Sequence, residues 1–341
     1  MIREPKEAQL PERYSWPLLR FLLGTACIVI IMWGIRYASH LISILLLSVL
    51  LAYGFAPLPW WLMRRFHLGK GATIAVTIVL LGSLGIFSAF VVYERVQRMK
   101  NMLPVYHDHF VALYGNSVAF LNAHGIDFTS LPASKLSTRE GFAEAARPYF
   151  PQAGNLLGDG LTITLLALIL VVDLIGAPGS KKGHLTELLD TYGGDIQRYI
   201  AISVKTGLVT AAANLLLFLI VGVDFPMLWS FVYFCLHFIP NIGFLFAIAP
   251  PAFMTLLMSG WQKSLVVVGG MVLTQVLSDY LLTPVLMKKE VHISFLEITI
   301  SLLVWSFLLG PAGAILAIPL SLAVRRFAQQ LLEKGAAGAS G

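Results

Sequence analysis

Six stretches of this chain are apolar and long enough to cross a lipid bilayer as helices, which restricts the fold more than any other feature. A spanning helix needs about 20 predominantly apolar residues. It must also satisfy its backbone polar groups internally, because hydrocarbon offers them no partner. The runs of this kind are 17–35, 41–63, 72–93, 155–175, 202–223 and 263–287. The sequence therefore predicts an all-α polytopic membrane protein whose surroundings are the lipid bilayer.

The composition agrees with a membrane protein and argues against a nucleic-acid partner. Hydrophobic residues make up 57% of the chain and charged residues only 12%, whereas soluble domains are about 25% charged. The net charge is +6, but no run of Lys and Arg exceeds two residues. The basic pairs stand at the ends of apolar runs, where they set orientation in the bilayer. Cys27 and Cys235 both fall inside apolar runs, so we interpret them as packing residues.

Two further apolar runs, 225–258 and 295–324, are each broken in the middle by glycine and proline. The first break contains Pro240, Asn241 and Gly243, and the second contains Gly310, Pro311 and Gly313. A similar apolar sequence follows each break and ends at Pro250 in the first run and at Pro319 in the second. Broken backbone at membrane depth is tolerated only inside protein or beside a wet cavity. Paired breaks of this kind indicate a transport site, with these prolines as hinge or hairpin positions.

Charge predicts how these runs are oriented. If each broken run returns to the side from which it enters, four basic pairs face the cytoplasm together with both termini. The pairs are Arg64-Arg65, Lys181-Lys182, Lys288-Lys289 and Arg325-Arg326. The half-runs have roughly 13–17 residues, short against the ~20 needed to span, which favours two re-entrant hairpins, the first entering from outside and the second from inside. Two full crossings per run keep every pair on its side, whereas single crossings place Lys288-Lys289 outside.

The segment 94–155 is polar and has no spanning run, so we expect an extracytoplasmic helical segment between a region 1–93 and a transport region 156–341. An apolar seam with heptad spacing runs from Val96 to Phe120, interrupted by Pro104 and Gly115. We favour packing within the subunit over a coiled coil between subunits, which leaves a homo-oligomer possible. Ser137 and Glu140 have the spacing of a capping box and predict a helix up to residue 147.

His107, Asp108 and His109 form the densest group of metal-ligand residue types in this segment, with His124 downstream. Neighbours at i and i+2 diverge around a helix instead of converging on one ion. The group therefore predicts an exposed polar helix face, and neither a metal site nor a cofactor is expected.

The span between the two broken runs carries a polar face. Gln275, Ser278 and Asp279 stand at i, i+3 and i+4, which places an amide, a hydroxyl and a carboxylate together on a helix. Ionisable groups inside a membrane are costly and are functional candidates by default. The other candidate binding residues are Asn214, Asn241, Gly243, Gly310 and Gly313, and Pro284 is a further hinge candidate.

This set of groups suits a small polar solute or a monovalent cation such as Na⁺, which takes oxygen ligands like other hard cations. Asp279 is also a candidate carrier of a coupling proton. An alternative reading places Asp279 in the interface, solvated and paired with Lys288-Lys289, and both readings stay open. The chain has no Walker loop, no His-Glu-x-x-His and no Gly-x-Ser-x-Gly. It is therefore not predicted to be an enzyme, and its transport would be passive or driven by an ion gradient.

Three ordered motifs carry a family resemblance, strongest over 195–327: Phe-Ile-Pro-Asn-Ile-Gly at 238–243, the stretch 275–289, and Leu-Gly-Pro-Ala-Gly-Ala-Ile-Leu-Ala-Ile-Pro-Leu at 309–320. The chain resembles the autoinducer-2 exporter family of bacterial permeases. The resemblance implies a bacterial inner-membrane transporter that exports the quorum-sensing signal autoinducer-2 or exchanges Na⁺ or Li⁺ for H⁺. Three positions depart from the family pattern, with Ser278 in place of Glu, Tyr280 in place of Asn and Phe295 in place of Pro.

The sequence therefore supports a permease for a small polar solute such as a signalling molecule, with or without H⁺ or Na⁺ coupling. A Na⁺(Li⁺)/H⁺ antiporter and a channel are alternatives. A different class of function is a non-transporting membrane scaffold that acts through residues 94–155.

Overall fold

The computed structural model describes residues 15–124, 136–176, 184–240, 242–286 and 294–339, and the regular structure of these residues is helical throughout. The predicted all-α fold is confirmed. The helices are α1 (Ser15–Tyr37), α2 (Ser39–Phe55), α3 (Pro57–Phe66), α4 (Lys70–Ala123), α5 (Arg139–Ala146), α6 (Tyr149–Gly176), α7 (His184–Val221), α8 (Pro226–Leu236), α9 (Gly243–Ser259), α10 (Trp261–Leu277), a π-helical segment (Ser278–Leu282), α11 (Thr283–Leu286), α12 (Phe295–Leu309) and α13 (Pro311–Ala339).

Seven of the described helical stretches are long and apolar enough to cross a membrane, one more than the predicted six. The additional stretch is Pro311–Gln329, the second half of the second broken run. Pro311 fits the first position of a helix, where its missing N–H costs nothing, and α13 then continues for 29 residues. The expectation that both halves of this run are too short to span is therefore wrong for α13. The shorter apolar helices are Pro226–Leu236, Gly243–Ser259 and Leu296–Leu309.

Helix α4 is a single element of 54 residues and runs through Pro104 and Gly115. The predicted interruptions of the seam are therefore wrong. A helix of this length measures ~80 Å, against a hydrocarbon core of ~30 Å, so much of α4 lies beyond one face of the bilayer. A proline inside a helix removes one backbone hydrogen bond, and the tertiary packing of α4 around this position offsets that loss.

The distal part of α4 packs against the first broken run, as the favoured prediction of packing within the subunit requires. The side chain of Tyr106 is only 3% exposed and lies in one apolar cluster with Phe225 and Trp229. Its hydroxyl donates a hydrogen bond of 3.4 Å to Asp224 Oδ2. Further along the seam Phe120 is 64% exposed. The C-terminal end of the seam therefore does not pack against the first broken run.

Two expectations for the neighbouring segment are corrected. Helix α5 is capped by Thr138, whose side chain accepts a hydrogen bond from the Gly141 N–H, and not by the predicted Ser137. The carbonyl of Ser137 instead lies 3.0 Å from His107 Nε2. His107 is 7% exposed and packs edge-on against Phe142, so it does not belong to an exposed face. The turn before α5 thus docks on α4 through a buried histidine.

Both broken runs fold into helical hairpins. Residues 237–242 join α8 to α9, whereas Gly310 alone separates α12 from α13. Hydrogen bonds across the second break connect its arms, from Trp305 Nε1 to Ser321 Oγ at 3.1 Å and from Ser321 Oγ to Ser301 Oγ at 2.7 Å. The glycine and proline positions therefore mark sharp reversals of the chain.

The tips of the two hairpins lie towards opposite ends of the bundle. The second tip lies beside the start of α2, where Ser43 Oγ donates to the Leu309 carbonyl at 3.3 Å. The first tip shares a cavity with Tyr199 near the start of the apolar part of α7. That part of α7 lies beside the end of α2, because a Cβ on Gly54 would stand 2.9 Å from Ile200. Ser43 and Gly54 are eleven positions apart, which corresponds to ~16 Å along α2.

Candidate functional site

A glycine at each tip allows the hairpin to close. A Cβ built on Gly243 would lie 1.9 Å from the Leu236 carbonyl oxygen, and one built on Gly313 would lie 1.9 Å from the Trp305 carbonyl oxygen. No other residue type fits such a backbone approach. The two predicted glycines thus have the same role, which is to let the two arms of a hairpin approach closely. Neither glycine lines the cavity described next.

A cavity of about 360 Å³ lies between the two hairpins, α7 and the end of α10. Both hairpins contribute, through Pro240 at the first tip and Ile318 in α13. The polar lining consists of Tyr199, Ser203, Thr206, Tyr233, His237, Gln275, Asp279 and Thr283. Of the predicted binding residues, Gln275 and Asp279 therefore meet here, beside the hinge residue Pro240.

Gln275 and Asp279 form the polar centre of this lining. Their spacing of four residues brings the side chains together, and Gln275 Nε2 donates to Asp279 Oδ2 at 3.0 Å. The buried Tyr233 hydroxyl donates in turn to Gln275 Oε1. This chain of hydrogen bonds fixes the amide orientation and leaves the carboxylate as the terminal acceptor. Among the described residues no Lys or Arg pairs with Asp279, while Lys288 and Lys289 lie outside those residues.

The π-helical segment Ser278–Leu282 separates Ser278 from its predicted partners. Pro284 has no N–H for the ordinary bond to residue 280, and its ring crowds that carbonyl. The register widens before it, and the Thr283 N–H bonds to the Ser278 carbonyl five residues back. Ser278 is fully buried, and its hydroxyl has no partner among the described residues. It does not line the cavity, so only Gln275 and Asp279 of the predicted polar face do so.

Helix α7 supplies a polar stripe that sequence reasoning missed. Tyr199, Ser203 and Thr206 follow one another at spacings of four and three, which places them on one helix face. Thr206 Oγ1 lies 3.0 Å from His237 Nε2 at the end of α8. Gly207 permits this approach, because a Cβ there would stand 2.9 Å from the His237 ring. The recurrence of hydroxyls in an apolar span was the available signal.

Asn214 lies deeper in α7 and outside the cavity lining. It is fully buried, and its Oδ1 accepts a hydrogen bond of 2.7 Å from Thr274 Oγ1 of α10. Its Nδ2 has no partner among the described residues. Asn214 thus joins α7 to α10 at Thr274, the residue directly before Gln275.

The remaining predicted positions fall elsewhere in the hairpins. Asn241 lies outside the described residues. Gly310, with φ +67°, and Pro311 form the second tip. Pro250 lies inside α9, Pro319 inside α13 and Pro284 in α11. None of these described residues lines the cavity.

The available chemistry is that of oxygen ligands and hydrogen bonds. One carboxylate, one amide and several hydroxyls face the cavity together with one imidazole. No group of three or more His, Cys, Asp or Glu side chains suited to a metal ion occurs in the part of the chain that the structure describes. The arrangement can bind a polar solute or a weakly held cation.

Comparisons with known proteins agree with the resemblance predicted from residues 195–327. The family model described as AI-2E family transporter matches residues 25–333. The AI-2 transport protein TqsA of Escherichia coli K12 is 25% identical over 319 residues, covering 90% of this chain and 91% of its own. The putative transport protein YhhT of the same organism is 26% identical, with 89% and 88% covered. A putative transport protein of Haemophilus influenzae is 24% identical, with 90% and 92% covered.

These matches extend over nearly the whole chain, including both hairpins, the cavity between them and the long helix α4. The family resemblance predicted from the sequence is confirmed, as is the prediction that the chain is not an enzyme. This protein belongs to the AI-2E family of membrane transporters.

Proposed function

We propose that this chain is a permease that moves a small polar solute through the cavity between the two hairpins. The observation that carries the proposal is the shared lining. Pro240 of one hairpin and Ile318 of the other face the same space as the hydrogen-bonded Gln275 and Asp279. Ligand sites in transporters occur where broken helices meet, and a polar group kept inside a membrane marks such a pathway.

The cavity suits a solute of modest size with several hydroxyl or carbonyl groups. Its volume of about 360 Å³ falls at the lower end of the range typical of small-molecule sites. The lining offers an acceptor at Asp279 and hydroxyl groups at Tyr199, Ser203 and Thr206. One relative is named an AI-2 transport protein, which favours a small polar signalling molecule as the cargo.

We place the protein in a bacterial inner membrane with both termini in the cytoplasm and with 94–155 on the outer side. The hairpins then enter from opposite sides, the first from outside and the second from inside, and the ~16 Å separation of their tips along α2 supports this inverted arrangement. In a chain with Cys27 and Cys235 replaced by serine, single cysteines at positions 261 and 289 test it. An impermeant thiol reagent applied from outside is expected to label position 261 only. Labelling of both positions from the same side would refute this topology.

Coupling to Na⁺ or H⁺ is the second candidate activity, favoured by the carboxylate in the cavity. Asp279 is the terminal acceptor of its hydrogen-bond chain and has no described cation beside it. A carboxylate in this position can take up a proton or an alkali cation in exchange. A Na⁺(Li⁺)/H⁺ antiporter would use the same residue, so one variant set examines both activities.

Flux in proteoliposomes tests these assignments. The solutes are autoinducer-2 and, separately, Na⁺ with and without a pH gradient. Asp279→Asn and Gln275→Ala are expected to lower flux at least about tenfold, because each removes a charge-assisted hydrogen bond inside the site. Asp173→Asn is the matched control, since that carboxylate also lies near the end of an apolar helix but outside the cavity lining. Unchanged flux for both cavity variants would refute the site.

The scaffold alternative makes a different prediction. If residues 94–155 act by binding a partner or a second copy, polar substitutions at Leu103, Phe110 and Leu113 should abolish that association and leave flux intact. The permease assignment expects flux to fall, because this part of α4 packs on the first hairpin through Tyr106. Size-exclusion chromatography and flux measured on the same preparations separate the two functions.

A further inference from the structure

Helix α3 (Pro57–Phe66) carries an exposed apolar and basic surface that is separate from the cavity between the two hairpins. It continues α2 after a short kink and packs against the start of α4. One side of α3 is buried through Pro59 and Leu62. The opposite side leaves Trp60 and Trp61 48% and 54% exposed, a large apolar surface at the end of a span. At the end of a span, indole rings exposed in this way lie at the boundary between lipid headgroups and acyl chains.

The exposed side of α3 also forms a cavity. A cavity of about 450 Å³ opens on it, lined by Pro57, Trp60, Trp61, Arg64 and Arg65. The lining residues repeat at a spacing of four, so each tryptophan stands one helical turn before an arginine. The result is two parallel columns, each with an indole ring near one end and a guanidinium near the other.

The positive charge of this cavity is not neutralised by the protein. No Asp or Glu occurs between Glu12 and Glu94, and among the described residues neither Arg64 nor Arg65 forms an ion pair. Lys70 adds a further cation at the start of α4. Two adjacent guanidinium groups without a counter-charge favour an anion, and guanidinium binds phosphate oxygens in a bidentate manner.

The position of this cavity at the end of a membrane span indicates which phosphate-bearing molecule binds there. The stretch Ser39–Phe66 is long and apolar enough to cross the membrane, and α3 forms its last ten residues. Tryptophan prefers the boundary between headgroups and acyl chains, and basic pockets at the ends of spans bind anionic lipid headgroups. A soluble anion would contact only the arginines, whereas a phospholipid contacts both the arginines and the indole rings.

We propose that the cavity on α3 binds the headgroup phosphate of an anionic phospholipid. Arg64 and Arg65 hold the phosphate oxygens, and Trp60 and Trp61 flank the glycerol backbone and the first methylenes of the acyl chains. This site is independent of the transported solute and does not involve Gln275 or Asp279.

Native mass spectrometry of the full chain in detergent tests the proposal, with equal amounts of phosphatidylglycerol and phosphatidylcholine as probes. The wild type is expected to retain phosphatidylglycerol preferentially. Arg64→Gln/Arg65→Gln should lower this preference at least about tenfold, because charge-assisted hydrogen bonds are lost. Arg64→Lys/Arg65→Lys keeps the charge that orients the span but loses the bidentate geometry, so an intermediate preference is expected.

Control variants distinguish this site from general surface charge. Arg325→Gln/Arg326→Gln removes an equal charge at another span end, in α13, and should retain the wild-type preference. Trp60→Ala/Trp61→Ala should weaken binding although the charge is intact. The proposal is overturned if the Arg64 and Arg65 variants bind like wild type, or if both arginine pairs contribute equally. Displacement of the lipid by inorganic phosphate alone, or burial of the two tryptophans in a dimer, would also overturn it.

Discussion

The glycines at the hairpin tips provide the sharpest test of how this fold is built. Changing Gly313 to alanine adds one carbon atom, and that atom would stand 1.9 Å from the Trp305 carbonyl oxygen and 2.9 Å from Leu309 Cβ. An ordinary carbon-to-oxygen contact is about 3.3 Å or longer. The arms of the second hairpin must therefore separate by ~1.4 Å, which strains the hydrogen bonds from Trp305 to Ser321 and from Ser321 to Ser301.

The magnitude follows from the cost of overpacking. Forcing an extra carbon into closely packed structure destabilises by ~1–3 kcal/mol, and here the obstacle is backbone, which yields less readily than a side chain. At ~2–4 °C per kcal/mol for domains of about 150–250 residues, and less for a longer chain, Gly313→Ala should lower the apparent melting temperature of the detergent-purified protein by a few degrees. Gly243→Ala should behave alike, because its Cβ would also lie 1.9 Å from a carbonyl oxygen, that of Leu236.

Gly82→Ala is the matched control. A Cβ at Gly82 would meet nothing within 4 Å, and alanine is favoured over glycine inside a helix by ~0.5–1 kcal/mol. This variant should melt at the wild-type temperature or slightly above it. The reasoning is refuted if Gly313→Ala and Gly243→Ala melt like Gly82→Ala and transport solute at the wild-type rate, since the close backbone approach would then be of no consequence.

Three further substitutions follow from the contacts. Tyr106→Phe should lower the free energy of unfolding by less than ~1 kcal/mol, because it loses one long hydrogen bond to Asp224. Tyr106→Ala should lower it by ~3–5 kcal/mol, because it empties a buried site between α4 and the first hairpin. Thermal unfolding distinguishes the two variants. Ser278→Ala should leave stability unchanged or raise it, since the buried hydroxyl has no described partner to lose; a clear drop in melting temperature would contradict this. Thr206→Val, which keeps the shape and removes the hydroxyl beside His237, should retain the fold but slow flux in proteoliposomes.

The features predictable from sequence were those with a strong local cause. Glycine and proline inside an apolar run leave few conformations open, so both chain reversals could be placed at 240–243 and 310–313. The pairing of Gln275 with Asp279 follows from helical spacing alone. In each case the residues that decide the geometry are within a few positions of each other, and short-range rules apply.

The features that escaped prediction depend on tertiary contacts. Ser203 and Thr206 read as ordinary hydroxyls of an apolar helix, because such groups usually bond to their own backbone, as Thr206 does to the Ile202 carbonyl at 3.0 Å. Only the approach of His237 across Gly207 turns them into cavity lining. Likewise, the continuity of α4 through Pro104 depends on its packing against α8 and α9, residues more than a hundred positions away.

In both hairpins a glycine allows the close approach of the two arms, but the two hairpins pack against different helices. The first is fastened to α4 near Tyr106 and Asp224, whereas the second is fastened to α1 and α2, with Arg36 donating to the Phe307 carbonyl at 2.9 Å. Because the cavity takes its walls from both, its shape depends on how these separately anchored units meet along α7. A substitution at either anchor should therefore alter flux without touching the cavity. Arg36→Gln, which lies far from Asp279 in sequence and removes one contact that anchors the second hairpin to α1, is the variant that tests this dependence. Flux unchanged by Arg36→Gln would mean that the second hairpin holds its place without this hydrogen bond, through the Ser43 contact and apolar packing.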